Sequence, residues 1–250
     1  MKKIKNVLCI FLSMMMLLCC SLTASAASVT PKISFVGHLV IYAANNGASS
    51  LFNTTGHAFL SFKNTSSSPV TLGALEVKAG QEVTFGTWGN AEHKGIWYNL
   101  ESYLANHKND LKGRISLLTG VTYSDLVTIN SVIKDNDRWS ATNNCSTFAV
   151  KVWNSICSDK LKLDAGFPNS PTALMSSIRL TSDYNYETNR SIEDSTPIGY
   201  KNGDGEFVDM TDEALASVFR ALNNSVYTPT EPVAFMTPVN MDTKNCEVAR

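Results

Sequence analysis

One amphipathic helix constrains the fold of this chain more than any other stretch. After Cys145, apolar residues recur at the spacing of one helical face, namely Phe148, Ala149, Val152, Trp153, Ile156 and Cys157. Asn143 or Asn144 can cap such a helix, because a side-chain amide oxygen accepts from the free N–H groups of the first turn. The pattern predicts a helix that begins at Cys145 and packs this stripe against a core.

The position of Cys145 at the predicted helix start suggests chemistry. The positive end of the helix dipole and the unpaired amides there favour a thiolate, which is the nucleophilic form of cysteine. The alternative is that Cys145 is a small apolar residue on a buried face, as free cysteines often are.

The first residues have the composition of an export signal. Three lysines among the first five residues precede an apolar stretch over 7–20, and small residues at 24–26 provide a cleavage site. This arrangement predicts a secretory signal peptide over 1–27, and hence a secreted, extracellular protein. No later apolar run is long enough to predict a membrane span.

Charge disfavours one class of partner. Of 21 basic and 22 acidic side chains, the predicted leader removes three lysines and no acid, so the exported chain has a net charge near −4. Because proteins that bind nucleic acid usually carry a basic surface, we expect no nucleic-acid partner. The sequence has no phosphate-cradling glycine loop, and we expect no cofactor.

Three of the six cysteines belong to the predicted leader, so Cys145, Cys157 and Cys246 remain. An odd number leaves one thiol unpaired in a monomer, which favours a free reactive cysteine. If that cysteine is Cys145, then Cys157 and Cys246 are either disulfide partners or two further thiols.

Strand patterns fill much of the first half of the chain. They are found at 33–43, 57–62, 70–77, 82–88 and 114–118, and the third and fourth look like a hairpin around Ala79 and Gly80. With the cysteine helix they predict an α+β domain over 28–180, in which an antiparallel β-meander packs against that helix. Residues 86–98 are expected to be a loop that is rich in glycine and aromatic residues.

Two further helices have start signals. Thr122 is suited to cap one that ends near 135–137, and Ser170 to cap another with Pro171 at its first position. Beyond Thr181 the chain is more polar, and we expect a small C-terminal appendage over 181–250. It would contain a hairpin over 198–210 and a helix over 211–222.

The base for Cys145 must be one of four histidines. His57 is the preferred one, because it opens a strand directly after Gly56, where backbone groups can approach closely. His38 falls inside a continuous apolar strand, and His107 lies in a lysine-rich segment. A metal site made by His57, His93 and Cys145 is the alternative, but no known metal-ligand spacing supports it, and we expect no metal.

Four short motifs resemble one protein superfamily. They are Thr55-Gly56-His57-Ala58-Phe59, Phe85-Gly86-Thr87-Trp88-Gly89, Leu118-Thr119 before a helix, and Asn143-Asn144-Cys145-Ser146-Thr147-Phe148-Ala149. Together, over residues 33–180, they resemble the permuted branch of the NlpC-type papain-like superfamily, which includes lecithin:retinol acyltransferase-like proteins. In that branch the histidine strand precedes the cysteine helix. The resemblance implies a permuted papain-like fold, with Cys145 as nucleophile and His57 as its base.

The resemblance also implies a third polar residue that orients the histidine ring. We assign this role to Asn90. Thr84, Thr87, His93 and Glu76 are the alternatives.

These expectations lead to a functional hypothesis. The chain is predicted to be a secreted thiol hydrolase or acyltransferase that acts on an amide bond, with a peptide or peptidoglycan-like molecule as the leading substrate. A fatty acyl lipid is the second choice. A non-catalytic secreted binding module on the same scaffold is the remaining alternative, because a fold does not fix a function.

Overall fold

The computed structural model describes residues 34–45, 56–89, 91–181, 186–211 and 214–216, so the predicted signal peptide lies outside the described part. The α-helices are α1 (Leu100–His107), α2 (Tyr123–Asp135), α3 (Cys145–Ile156) and α4 (Pro171–Leu180), and Asp159–Leu161 is a 3-10 helix. The strands are β1 (Phe35–Ala44), β2 (His57–Asn64), β3 (Val70–Leu72), β4 (Leu75–Val77), β5 (Glu82–Thr87), β6 (Ile96–Tyr98), β7 (Ile115–Thr122), β8 (Glu187–Thr188), β9 (Gly199–Lys201) and β10 (Phe207–Asp209).

Eight of these strands form one antiparallel sheet in the order β10-β9-β6-β5-β2-β1-β7-β8. Four of them, β1, β2, β5 and β6, lie side by side in the order in which they follow one another in the chain, with only the separate β3–β4 pair between β2 and β5, which makes them a meander. His57 is the first residue of β2 and lies opposite Ala44, the last residue of β1. The predicted α+β class and antiparallel meander are therefore confirmed.

One predicted pairing is wrong. The segments 70–77 and 82–88 do not form a hairpin with each other, because β3 and β4 turn back within the first segment and β5 pairs with β2 and β6. Gly73 makes that early turn with a left-handed backbone (φ 57°). Its N–H donates to Asn130 Oδ1 at 2.7 Å, so a contact with α2 fixes a turn that the local pattern does not reveal.

Both faces of the sheet are buried, and side chains alternate between them. On β1, Leu39 and Ile41 enter one core, while Val40 and Tyr42 enter the other. Helices α2, α3 and α4 cover the first face, and Phe85 meets Phe148 of α3 edge to face there, with centroids 6.2 Å apart. Helix α1 and part of the C-terminal segment cover the second face.

The predicted helix starts are confirmed. The N-cap of α2 is Thr122, which forms a capping box with Asp125. In α3 the Asn144 side chain accepts from Thr147 N–H, and in α4 the Ser170 side chain accepts from Ala173 N–H. The sequence did not reveal α1 or β6, and β6 lies inside the segment expected to be a loop.

The described part of 181–250 packs on the sheet. β8 extends one edge and the predicted hairpin, formed by β9 and β10, extends the other. Between them the chain crosses α1, where Ser102 Oγ donates to Glu193 O at 2.6 Å and accepts from Ser195 N–H at 3.0 Å. Of the predicted helix over 211–222, residues 214–216 are helical and most others lie outside the described residues.

Ser102 offers a test of this attachment. Ser102→Ala should lower the free energy of unfolding by about 1–3 kcal/mol, because it takes away the acceptor of the buried Ser195 N–H and one of two donors to the Glu193 carbonyl oxygen. Urea unfolding measures this, with Ser176→Ala on the exposed side of α4 as control, where the change should stay within about 0.5 kcal/mol. Equal unfolding midpoints in the two variants would contradict the attachment of 193–195 to α1.

Candidate active site

The start of α3 leaves backbone donors next to Cys145. Asn144 caps the helix, with its side-chain Oδ1 accepting from Thr147 N–H at 3.0 Å and its carbonyl from Phe148 N–H at 2.9 Å. The first four amides of a helix have no intrahelical partner before them. The N–H groups of Cys145 and Ser146 therefore have no partner within the helix, and they lie beside a thiol that is half-buried.

The histidine of the site begins β2. Gly56 precedes it with φ +117°, and a Cβ at this position would collide with the Ala44 carbonyl oxygen. His57 is 5% exposed, and it lies near enough to Cys145 for each of the two groups to shift the pKa of the other. The site therefore lies at the end of β2, where α3 reaches the sheet from its first face.

A buried carboxylate contacts the same histidine from the second face. Glu101 of α1 is fully buried, and its Oε1 lies 3.0 Å from His57 Nε2. With Nε2 engaged by Glu101, Nδ1 is the ring nitrogen left for the Cys145 thiol. The three side chains thus form a Cys–His–Glu series that joins the two layers of the fold at a strand end.

Gly86 in β5 and Trp88 in the loop after it both lie against the Glu101 carboxylate. Trp88 donates its indole N–H to Glu101 Oε1 at 2.8 Å. A Cβ on Gly86 would lie 2.5 Å from the same oxygen, so only glycine leaves room for the carboxylate. The other oxygen, Oε2, is buried and has no hydrogen-bond partner among the described residues.

The electrostatics favour an ion pair. Burial by itself lowers the pKa of His57, but hydrogen bonds to Cys145 and Glu101, and the charges of both, outweigh burial and raise this pKa to about 9. Burial would raise the pKa of the Cys145 thiol. The hydrogen bond and charge of His57, with the Ala58 backbone and Ser146, instead lower the Cys145 pKa. A thiolate–imidazolium pair is therefore favoured between these two pKa values.

The structure places the candidates for the third residue as follows. Asn90 lies outside the described residues. Thr84 Oγ1 accepts from Ser102 N–H, and Thr87 is buried in β5. His93 contacts Asp137 at 2.9 Å, while Glu76 is exposed on β4.

Glu101, which the sequence analysis did not single out, makes the contact with His57. A signal for it existed in the sequence: Trp97, Leu100, Glu101 and Leu104 follow helical spacing, which puts an acid on an apolar stripe. Since an ionised carboxylate is rarely buried without a partner, this position pointed to a specific contact.

The other described cysteine has a different environment. Cys157 is a free, half-buried thiol, and burial raises its pKa to about 12. Its possible disulfide partner, Cys246, lies outside the described residues.

The described part of the chain contains neither a candidate metal site nor a candidate membrane span. No group of three or more His, Cys, Asp or Glu side chains in it could hold a metal ion. No helix in it is long and apolar enough to cross a membrane.

No family model matches the chain, and neither a curated protein nor a solved structure matches it. A functional proposal therefore depends on the geometry of the site itself.

Gly86→Ala tests whether Glu101 supports the pair. The added methyl group would displace Glu101 Oε1 from His57, and the protonated form of His57 would become less stable. Because that form stabilises the thiolate, alkylation of Cys145 by iodoacetamide at pH 6 should slow by about tenfold, which corresponds to about one pKa unit. Mass spectrometry of the labelled peptide measures the rate.

Gly203→Ala is the matched control for this variant, because a Cβ there meets nothing within 4 Å. It should label like the wild type. A Gly86→Ala protein that folds and labels at the wild-type rate would show that the position of Glu101 does not matter for the thiolate.

Proposed function

We propose that this chain is a secreted cysteine hydrolase or acyltransferase that acts on an amide bond through Cys145 and His57, on a permuted papain-like fold. The observation that carries the proposal is a half-buried thiol at a helix start, whose pKa is lowered by a histidine that itself contacts a buried carboxylate. The strand order supports the proposed fold, because the histidine strand precedes the cysteine helix.

In the first half of the reaction, the Cys145 thiolate attacks the carbonyl carbon of the substrate. The negative charge that forms on the carbonyl oxygen is stabilised by the amides of Cys145 and Ser146 and by the positive end of α3. The His57 imidazolium gives its proton to the leaving amine as the carbon–nitrogen bond breaks. The product is a thioester on Cys145.

In the second half, neutral His57 removes a proton from water or from an acceptor alcohol or amine, which then attacks the thioester. Collapse of the second tetrahedral intermediate returns the thiolate and the imidazolium. Glu101 does not touch the reacting atoms, and its charge stabilises the imidazolium each time it forms. Whether hydrolysis or transfer dominates depends on which acceptor reaches the thioester.

The leading substrate is an amide in a peptide, with peptidoglycan fragments as the preferred class for an exported enzyme. A second candidate is a fatty acyl group, which one observation favours. Phe167 is fully exposed in a loop next to the helix start, where Asn169 O accepts from the Asn144 side chain at 2.8 Å. A single exposed aromatic side chain is not a binding site by itself, so the fatty acyl group remains the second candidate.

The proposed ion pair makes a prediction about pH. Cys145 should react with iodoacetamide at pH 6 much faster than a free thiol, whose pKa is about 8.5, and His57→Ala should abolish the advantage. Cys157 provides a control within the same molecule, since a thiol with a pKa of about 12 should label slowly. Equal labelling of the two cysteines would remove the case for an activated thiol.

At alkaline pH, turnover should respond differently from alkylation of Cys145. His57 must carry a proton to protonate the leaving group, so turnover should fall as pH rises through about 9. Alkylation needs only the thiolate and should not fall there. A rate profile for both reactions from pH 5 to pH 10 gives this comparison.

Substrate class can be tested directly with residues 28–250. Peptidoglycan fragments should be cleaved at an amide bond by the wild type and by Cys157→Ala, whereas Cys145→Ala should be inactive, as measured by mass spectrometry of the products. A lipid ester consumed through an acyl group on Cys145 would instead support the acyltransferase. If neither reacts with wild-type protein, a binding module remains.

A further inference from the structure

We infer that Trp88 is a positioning residue of the Cys145 site, whose indole N–H fixes Glu101 on His57 and whose ring covers the imidazole. This inference rests on the proposed function, because it concerns how the Cys145–His57 pair is supported. Trp88 is 4% exposed and lies just after β5, between the strand and α1.

Two donors converge on one carboxylate oxygen. Trp88 Nε1 and His57 Nε2 lie 2.8 and 3.0 Å from Glu101 Oε1, while Oε2 has no partner among the described residues. Without a second contact, the carboxylate could turn about its terminal bond and withdraw Oε1 from the histidine. The indole N–H removes that freedom, because its hydrogen bond is made only when Oε1 faces His57.

The indole ring also contacts the histidine ring. The two centroids are 4.0 Å apart and the planes are tilted by 33°. An aromatic face at this distance attracts a positively charged ring, and it excludes water from the His57–Glu101 contact. The ring contact favours the protonated form of His57, which is the form that stabilises the thiolate. The exclusion of water disfavours that charge by itself, but it strengthens the attraction between the imidazolium and Glu101.

The backbone holds Trp88 in this place. Its N–H donates to Gly95 O at 2.8 Å, which continues the pairing of β5 with β6. The next residue is Gly89, and the Trp139 ring lies directly against it, so a side chain at Gly89 would collide with that ring. Trp139 belongs to the segment that leads into α3, so the loop that carries Trp88 is packed against the approach to Cys145.

The test compares two buried tryptophans. Trp88→Phe keeps an aromatic ring but removes the N–H to Glu101. Trp97→Phe removes an N–H that donates to His93 O at 2.8 Å. For Trp88→Phe we expect alkylation of Cys145 at pH 6 to slow by about tenfold and the alkaline loss of turnover to begin below pH 9. Trp97→Phe should keep both wild-type profiles.

A measurement on the wild type avoids any dependence on variant folding. The indole ¹⁵N–H resonance of Trp88 should shift as His57 loses its proton near pH 9, because both groups share one acceptor oxygen, and that of Trp97 should not. The inference is overturned if the Trp88 resonance does not follow His57, or if a folded Trp88→Phe keeps the wild-type profiles. Slow labelling of Cys145 in the wild type itself would instead refute the proposed function.

Discussion

The hydrogen bond between Glu101 and His57 is the contact on which the arrangement of the site depends. A carboxylate with no solvent exposure is costly unless donors and a positive charge surround it. The chain meets this need with His57, with the Trp88 indole and with the space left by Gly86. Helix α1 must also keep its position on the sheet. The Ser195 N–H, which donates to Ser102 Oγ, helps to hold the helix there.

Local signals in the sequence predicted three of the helices and the first two strands. Asn144, Thr122 and Ser170 each satisfy free amides at a helix start, so the three capped helices could be predicted from single residues and their apolar spacing. The same holds for β1 and β2, which are largely continuous runs of apolar residues. His57 and Cys145 could be singled out because each begins such an element.

Helix α1, which carries Glu101, could not be predicted from such local signals. Helix α1 has eight residues, and its N-cap, Asn99, has a left-handed backbone and makes no side-chain cap. Asn99 instead accepts from Thr84 N–H and donates to Pro197 O, contacts that exist only after the sheet and the C-terminal segment have assembled. Helical spacing marks Glu101 as a buried acid, but its partner is decided by these tertiary contacts, so the sequence does not reveal that Glu101 meets His57.

The sheet ends on its shortest members. β8 has two residues and β10 has three, whereas the central β1 has ten. An edge strand with few free N–H and C=O groups is a poor template for pairing with another chain. The segment after α4 thus ends the β10 side of the described sheet on a three-residue edge, which limits strand addition by another chain there. On the other side β8 pairs only with Ile115 and Ser116 of β7, so among the described residues the rest of that strand's outer edge is where a second chain could add a strand.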